Sequence, residues 1–144
     1  MKLENGVWVA VCDGGKFLLL QNHGDQDVLD LRVIAHEKID QDAYSGRTDR
    51  GPSPDGTMAR AGRAQRQSVE DIAESRFVES VALEIETRIL SGSIGDLVLI
   101  ADPKTLGLLR DQINATAHKK IRREIGGDFA HNSVAEVEAV LARH

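Results

Sequence analysis

The stretch Ser68–Leu90, SVEDIAESRFVESVALEIETRIL, decides the fold. Val69, Ala73, Phe77, Val81, Ile85 and Ile89 form an i, i+4 row, and Ile72, Val78 and Ala82 widen it into a core-facing stripe. Ser68 is placed to cap the first turn, with Asp71 three residues on to return the bond and favour the positive helix end. The carboxylates Glu70, Asp71, Glu74, Glu79, Glu84 and Glu86 face Arg76 and Arg88. This spacing predicts one long amphipathic helix that carries the core.

Outward from that helix, composition sets the class. A chain of 144 residues is expected to form a single domain, 1–144, with a core that needs no covalent staples. Hydrophobic residues make up 41% and charged residues 28%, as in ordinary globular proteins. Aromatics reach only 3%, so the core must be built from Val, Leu, Ile and Ala. The net charge of −5 argues against coating nucleic acid by bulk electrostatics. A single cysteine, Cys12, excludes an internal disulfide framework and reads as a small core residue. The N-terminus has no long apolar run after a basic segment, so the expectation is a cytoplasmic protein without a membrane span.

Before the helix, Val7–Val11 and Lys16–Leu20 flank the turn Asp13-Gly14-Gly15 as a hairpin. Asn22-His23-Gly24-Asp25 makes a second turn, and Leu29, Leu31, Val33 and Ala35 alternate with Asp30, Arg32, Ile34 and His36 in a half-buried third strand. Residues 40–67 read as a long flexible loop whose second half carries Arg60, Arg63 and Arg66 without an acid. After the helix, Leu97–Ala101 is apolar on both faces, as in a strand covered by helices on two sides. Asp102-Pro103 is a cap followed by proline at the first helical position, with Leu106, Leu109 and Ile113 as the buried face. Ile121 and Ile125 among Lys119, Lys120, Arg122, Arg123 and Glu124 suit a charged edge strand. Ser133 to Glu136 forms a capping box before the last helix. The order is βββ–loop–α–β–α–β–α. Right-handed crossovers then make the last two strands a parallel extension of the antiparallel meander. The expected architecture is α/β, a three-layer, five-stranded mixed sheet with helices, of ribonuclease H-like arrangement.

Ala10-Val11-Cys12-Asp13-Gly14 before a hairpin, the long polar loop, and Leu97–Gly107 followed by Leu109-Arg110 together resemble the bacterial host attachment protein family. Gly127-Asp128-Phe129 partly matches that family's closing turn. The family is in turn similar to the middle domain of archaeal and eukaryotic class I release factors, whose Gly-Gly-Gln loop helps water hydrolyse peptidyl-tRNA. The corresponding place here reads Gly62-Arg63-Ala64-Gln65-Arg66, with Ala64 where the second glycine would stand. The resemblance implies a binding module whose partner is RNA, on the ribosome or as tRNA. Its alternatives are ester hydrolysis using Gln65 to position water, or a protein-interaction role in host attachment.

Among candidate sites, Arg60, Arg63 and Arg66 can each make bidentate contacts to phosphate, or form a solvated loop. If that segment is helical, their spacing of three lines them along one side; if extended, it aligns nothing. Lys119, Lys120 and Arg122 form a second basic cluster for RNA, with protection of a sheet edge as the other reading. A ribonuclease H-like nuclease would need converging carboxylates, for which Asp13, Asp102 and Glu74 are the candidates. Turn and cap duties account for Asp13 and Asp102 equally well. His23, His36, His118, His131 and His144 show no helical pairing, so no metal is assigned. No phosphate loop, nucleophile elbow or dinucleotide fingerprint is present, and no cofactor is assigned.

Overall fold

The computed structural model describes residues 1–39 and 56–144, with the side chains of residues 56–68 outside the described set. Five strands, β1 (Trp8–Cys12), β2 (Lys16–Asn22), β3 (Leu31–Lys38), β4 (Leu97–Ala101) and β5 (Ile121–Gly126), form one sheet in the order β3-β2-β1-β4-β5. β1 pairs antiparallel with β2 and β2 with β3, whereas β1–β4 and β4–β5 are parallel. This is the expected five-stranded mixed sheet. Its helices are α1 (Gly56–Leu90), α2 (Pro103–Gln112), a single turn α3 (Ala115–His118) that the periodicity did not disclose, and α4 (Val134–Arg143).

All five residues of β1 and all five of β4 are buried, because helices cover both faces of the central pair. On one face Trp8, Ala10, Cys12, Phe17, Leu19, Leu97, Leu99 and Ala101 meet α1 and α2. On the other, Val9, Val11, Leu20, Val98, Ile100 and Ile125 meet Val137, Val140 and Leu141 of α4, with Leu3 and Val7 closing the layer. Local signals place the smaller helices. Asp102 caps α2 with proline in its first turn, and Ser133 and Glu136 form the capping box of α4.

In α1, Phe77, Val81, Ile85 and Ile89 are buried together with Val78 and Ala82, so the stripe packs as its period requires. Two details differ from the expectation. The helix begins at Gly56, so Ser68 lies within it and not at its first turn. Apolar periodicity marks burial and not helicity, and the Arg- and Gly-containing stretch before Ser68 has no such period. Ile72, expected in the stripe, is 47% exposed. Residues 40–55 of the expected loop lie outside the described residues. β3 is also less regular than its alternation suggests: a register shift opposite Leu19/Leu20 leaves both Val33 and Ile34 exposed. No helix among the described residues is long and apolar enough to cross a membrane.

Glu37 on β3 meets Glu84 on α1. A hydrogen bond to Glu84 raises the Glu37 carboxyl above the usual carboxylate range, helped by burial and the Glu84 charge, while Arg88 opposes the shift. Arg88 itself lies 3.1 Å from Glu84 Oε1. A carboxyl raised in the fold binds its proton more tightly than in the unfolded chain. Its stabilisation is therefore complete below the ordinary carboxylate range and is lost as pH rises through the folded value.

Two outcomes follow for stability. Phe77→Ala should cost about 3–5 kcal/mol in urea melts, and a loss below about 1 kcal/mol would place that face of α1 in solvent. Glu37→Gln should raise the thermal midpoint at pH 7 and leave it nearly unchanged at pH 4; equal shifts at both pH values would mean that the shared proton is absent.

Candidate acidic cleft and the two basic clusters

The central strands end together. Asp13 directly follows β1 and Asp102 directly follows β4, and because β1 and β4 are parallel neighbours both carboxylates stand at the same end of the sheet. In open α/β sheets the crevice beyond the carboxyl ends of parallel strands is the usual ligand-binding position. Here it is an open cleft of about 380 Å³, walled by the Asp13–Gly15 turn, by Glu74, Ser75 and Val78 of α1, and by Lys104, Thr105 and Leu108 of α2. Ile39 and His131 complete it.

Each polar group in the cleft has a defined partner. Asp13 Oδ1 accepts from the backbone N–H of Gly15 at 2.8 Å and of Lys16 at 2.6 Å, which holds the hairpin turn closed. Its other oxygen, Oδ2, lies 3.0 Å from His131 Nε2. His131 reaches it from the loop between β5 and α4, and its side chain is otherwise largely exposed. The Asp102 carboxylate accepts from the Thr105 hydroxyl at 2.6 Å and from the Thr105 N–H at 3.2 Å. Glu74 lies over Gly14, where an added Cβ would meet its carboxylate at 3.1 Å, and Lys104 Nζ stands 3.7 Å from Glu74 Oε2. A side chain at position 14 would thus require the Glu74 carboxylate to give way by a few tenths of an ångström.

The three carboxylates named from the sequence, Asp13, Glu74 and Asp102, do surround one cleft. Their oxygens serve the turn and His131, Lys104, and the helix cap respectively. No group of three or more His, Cys, Asp or Glu side chains among the described residues is arranged to hold a metal ion. What the cleft offers chemically is an Asp–His pair open to solvent, a pairing suited to proton transfer and to fixing a ring orientation. The sequence reading missed His131, since it belongs to no motif and meets Asp13 only through the β5–α4 loop. Beneath the cleft, Cys12 is fully buried, and its thiol is pushed far up, first by burial and then by the charges of Asp13 and Asp102. It is a core residue and poorly nucleophilic.

The second basic cluster sits at the end of the sheet away from the cleft. The Lys120 carbonyl accepts from Leu97 N–H at 3.0 Å, which fixes Lys119 and Lys120 at the amino ends of the parallel strands, away from the cleft. These two lysines precede β5, which starts at Ile121, so the expected charged edge strand does not extend to them. Arg122 is drawn to Glu4 at 3.7 Å, and Glu124 is held by Arg110 at 2.6 Å. α1 ends near those same amino ends, because a short turn after Leu90 leads into β4, so the helix runs antiparallel to β1. Its backbone continues past Glu74 on the cleft side through the positions of Arg66, Gln65, Arg63 and Arg60, whose side chains lie outside the described residues. Lys119, Lys120 and Arg122 therefore share no surface with the cleft.

No curated protein matches the chain. The profile described as Bacterial archaeo-eukaryotic release factor family 12 matches residues 6–141, a span that includes all five strands and α1. By that match, the protein belongs to the bacterial archaeo-eukaryotic release factor family 12.

Proposed function

We propose that this chain is a cytoplasmic binding module of translation that contacts RNA, on the ribosome or as tRNA, through Arg60, Arg63 and Arg66. The observation that carries this reading is the extension of α1 to Gly56. On a helix, a spacing of three puts the three positions along one side, where guanidinium groups can follow a phosphate backbone. Membership of a release-factor family supports a translational partner. The cleft, lined by Asp13, Glu74 and Asp102 against Lys104, is the wrong charge for phosphate, which leaves the arginine-bearing segment as the RNA-facing element. Lys119, Lys120 and Arg122 extend the contact only if the RNA reaches both ends of the sheet.

Binding is favoured over ester hydrolysis by Gln65 because the backbone there is helical, whereas a Gly-Gly-Gln element relies on the freedom of glycine. The host-attachment role implied by the resemblance would instead require a protein partner at a cell surface.

Replacing Arg60, Arg63 and Arg66 together with Glu should abolish salt-sensitive binding to ribosomes or tRNA at physiological salt, with little change in thermal midpoint. Single Arg→Ala variants should each lower the slope of log K against log salt by roughly 0.7–0.9. Binding that survives the triple reversal would defeat the RNA reading, and a surface location on cell fractionation would favour attachment. Gln65→Ala should leave binding intact; loss of a measurable peptidyl-tRNA turnover in that variant would establish the hydrolase instead.

A further inference from the structure

Among the described residues six large apolar side chains are exposed: Val28, Val33, Ile34, Ile72, Leu83 and Leu90. The first three belong to the edge strand β3 and the turn before it. The other three lie on α1, at 47%, 63% and 55% exposure. Apolar residues scattered singly over a surface need no explanation. These three are not scattered. At about 100° per residue, positions 72, 83 and 90 fall within roughly 20° of one line along the helix, opposite the face that Val81 and Ile85 turn into the core.

Arg76, Glu79 and Glu86 fill the gaps in that line, so that Ile72, Arg76, Glu79, Leu83, Glu86 and Leu90 step by four, three, four, three and four. That is the seam spacing of a two-helix coiled coil. The order of its charges selects the arrangement. A parallel partner would set Arg76 against Arg76 and Glu86 against Glu86. An antiparallel copy, related by a two-fold axis level with Val81, sets Ile72 against Leu90, Arg76 against Glu86 and Glu79 against Leu83, each pairing occurring twice. None of the ion pairs among the described residues uses Arg76, Glu79 or Glu86.

We propose that two copies of this chain associate through the outer faces of α1, antiparallel, with Arg76 of each copy paired to Glu86 of the other. The contact spans about 27 Å of helix. A single helix pair of this length is a small contact beside a standard stable interface, so the dimer forms in the micromolar range or above. The RNA reading does not enter this argument, and the seam lies wholly within residues 72–90.

Sedimentation equilibrium of the full chain from about 1 to 500 µM tests it. The wild type should move from its chain mass of 15.7 kDa towards twice that value as concentration rises. Arg76→Glu and Glu86→Arg, each alone, should weaken association at least tenfold while circular dichroism stays unchanged. Mixing those two variants, or combining both changes in one chain, restores Arg–Glu pairing and should restore the dimer. A wild type monomeric throughout would overturn the proposal. So would association indifferent to the single reversals, or reversals that neither mixing nor combination repairs.

Discussion

The parallel pairing of β1 with β4 is the constraint from which the rest of the structure follows. Both strands are buried along their whole length, so each needs apolar cover on two faces. The cover cannot come from one helix layer, and the chain supplies α1 and α2 on one side and α4 on the other. Parallel pairing also requires the chain to return along the sheet before β4, and α1 makes that return after β3. Its inner face is thus committed to the core before any functional demand is met.

The same pairing brings Asp13 and Asp102 to one end of the sheet and separates charge across the molecule. At the carboxyl ends, Asp13, Glu74 and Asp102 make an acidic cleft in which His131 and Lys104 are the facing bases. At the amino ends stand Lys119 and Lys120. With a net charge of −5, the chain has no general attraction for nucleic acid, and any RNA contact has to be made by a local cluster. The antiparallel course of α1 relative to β1 carries the arginine-bearing segment past the cleft end of the sheet.

α1 therefore has three distinct regions of use. From Phe77 to Ile89 one face builds the core. From Ile72 to Leu90 the opposite face repeats apolar and charged residues at seam spacing. N-terminal to the cleft it carries Arg60, Arg63 and Arg66. Because these regions are faces or lengths of one helix, association along the seam would fix how two arginine-bearing segments are held relative to each other: an antiparallel pair points them in opposite directions.

The sequence by itself determined whatever depends on neighbouring residues. The i, i+4 row from Phe77 to Ile89, the Asp102-Pro103 start of α2, the Ser133–Glu136 box and the two-sided apolarity of Leu97–Ala101 all act through contacts a few residues apart, and the parallel extension of the meander followed from them by the crossover rule. The start of α1 was not legible, because a helical segment without an apolar stripe leaves no period to read. Only the tertiary structure decided which distant groups meet. Asp13 with His131, Glu37 with Glu84, and Arg110 with Glu124 join residues far apart in the chain, and no local energy term records such a meeting. Ile72 is a different case: it faces solvent because it stands on the side of α1 opposite Val81, in line with Leu83 and Leu90, an angle that residue spacing alone records.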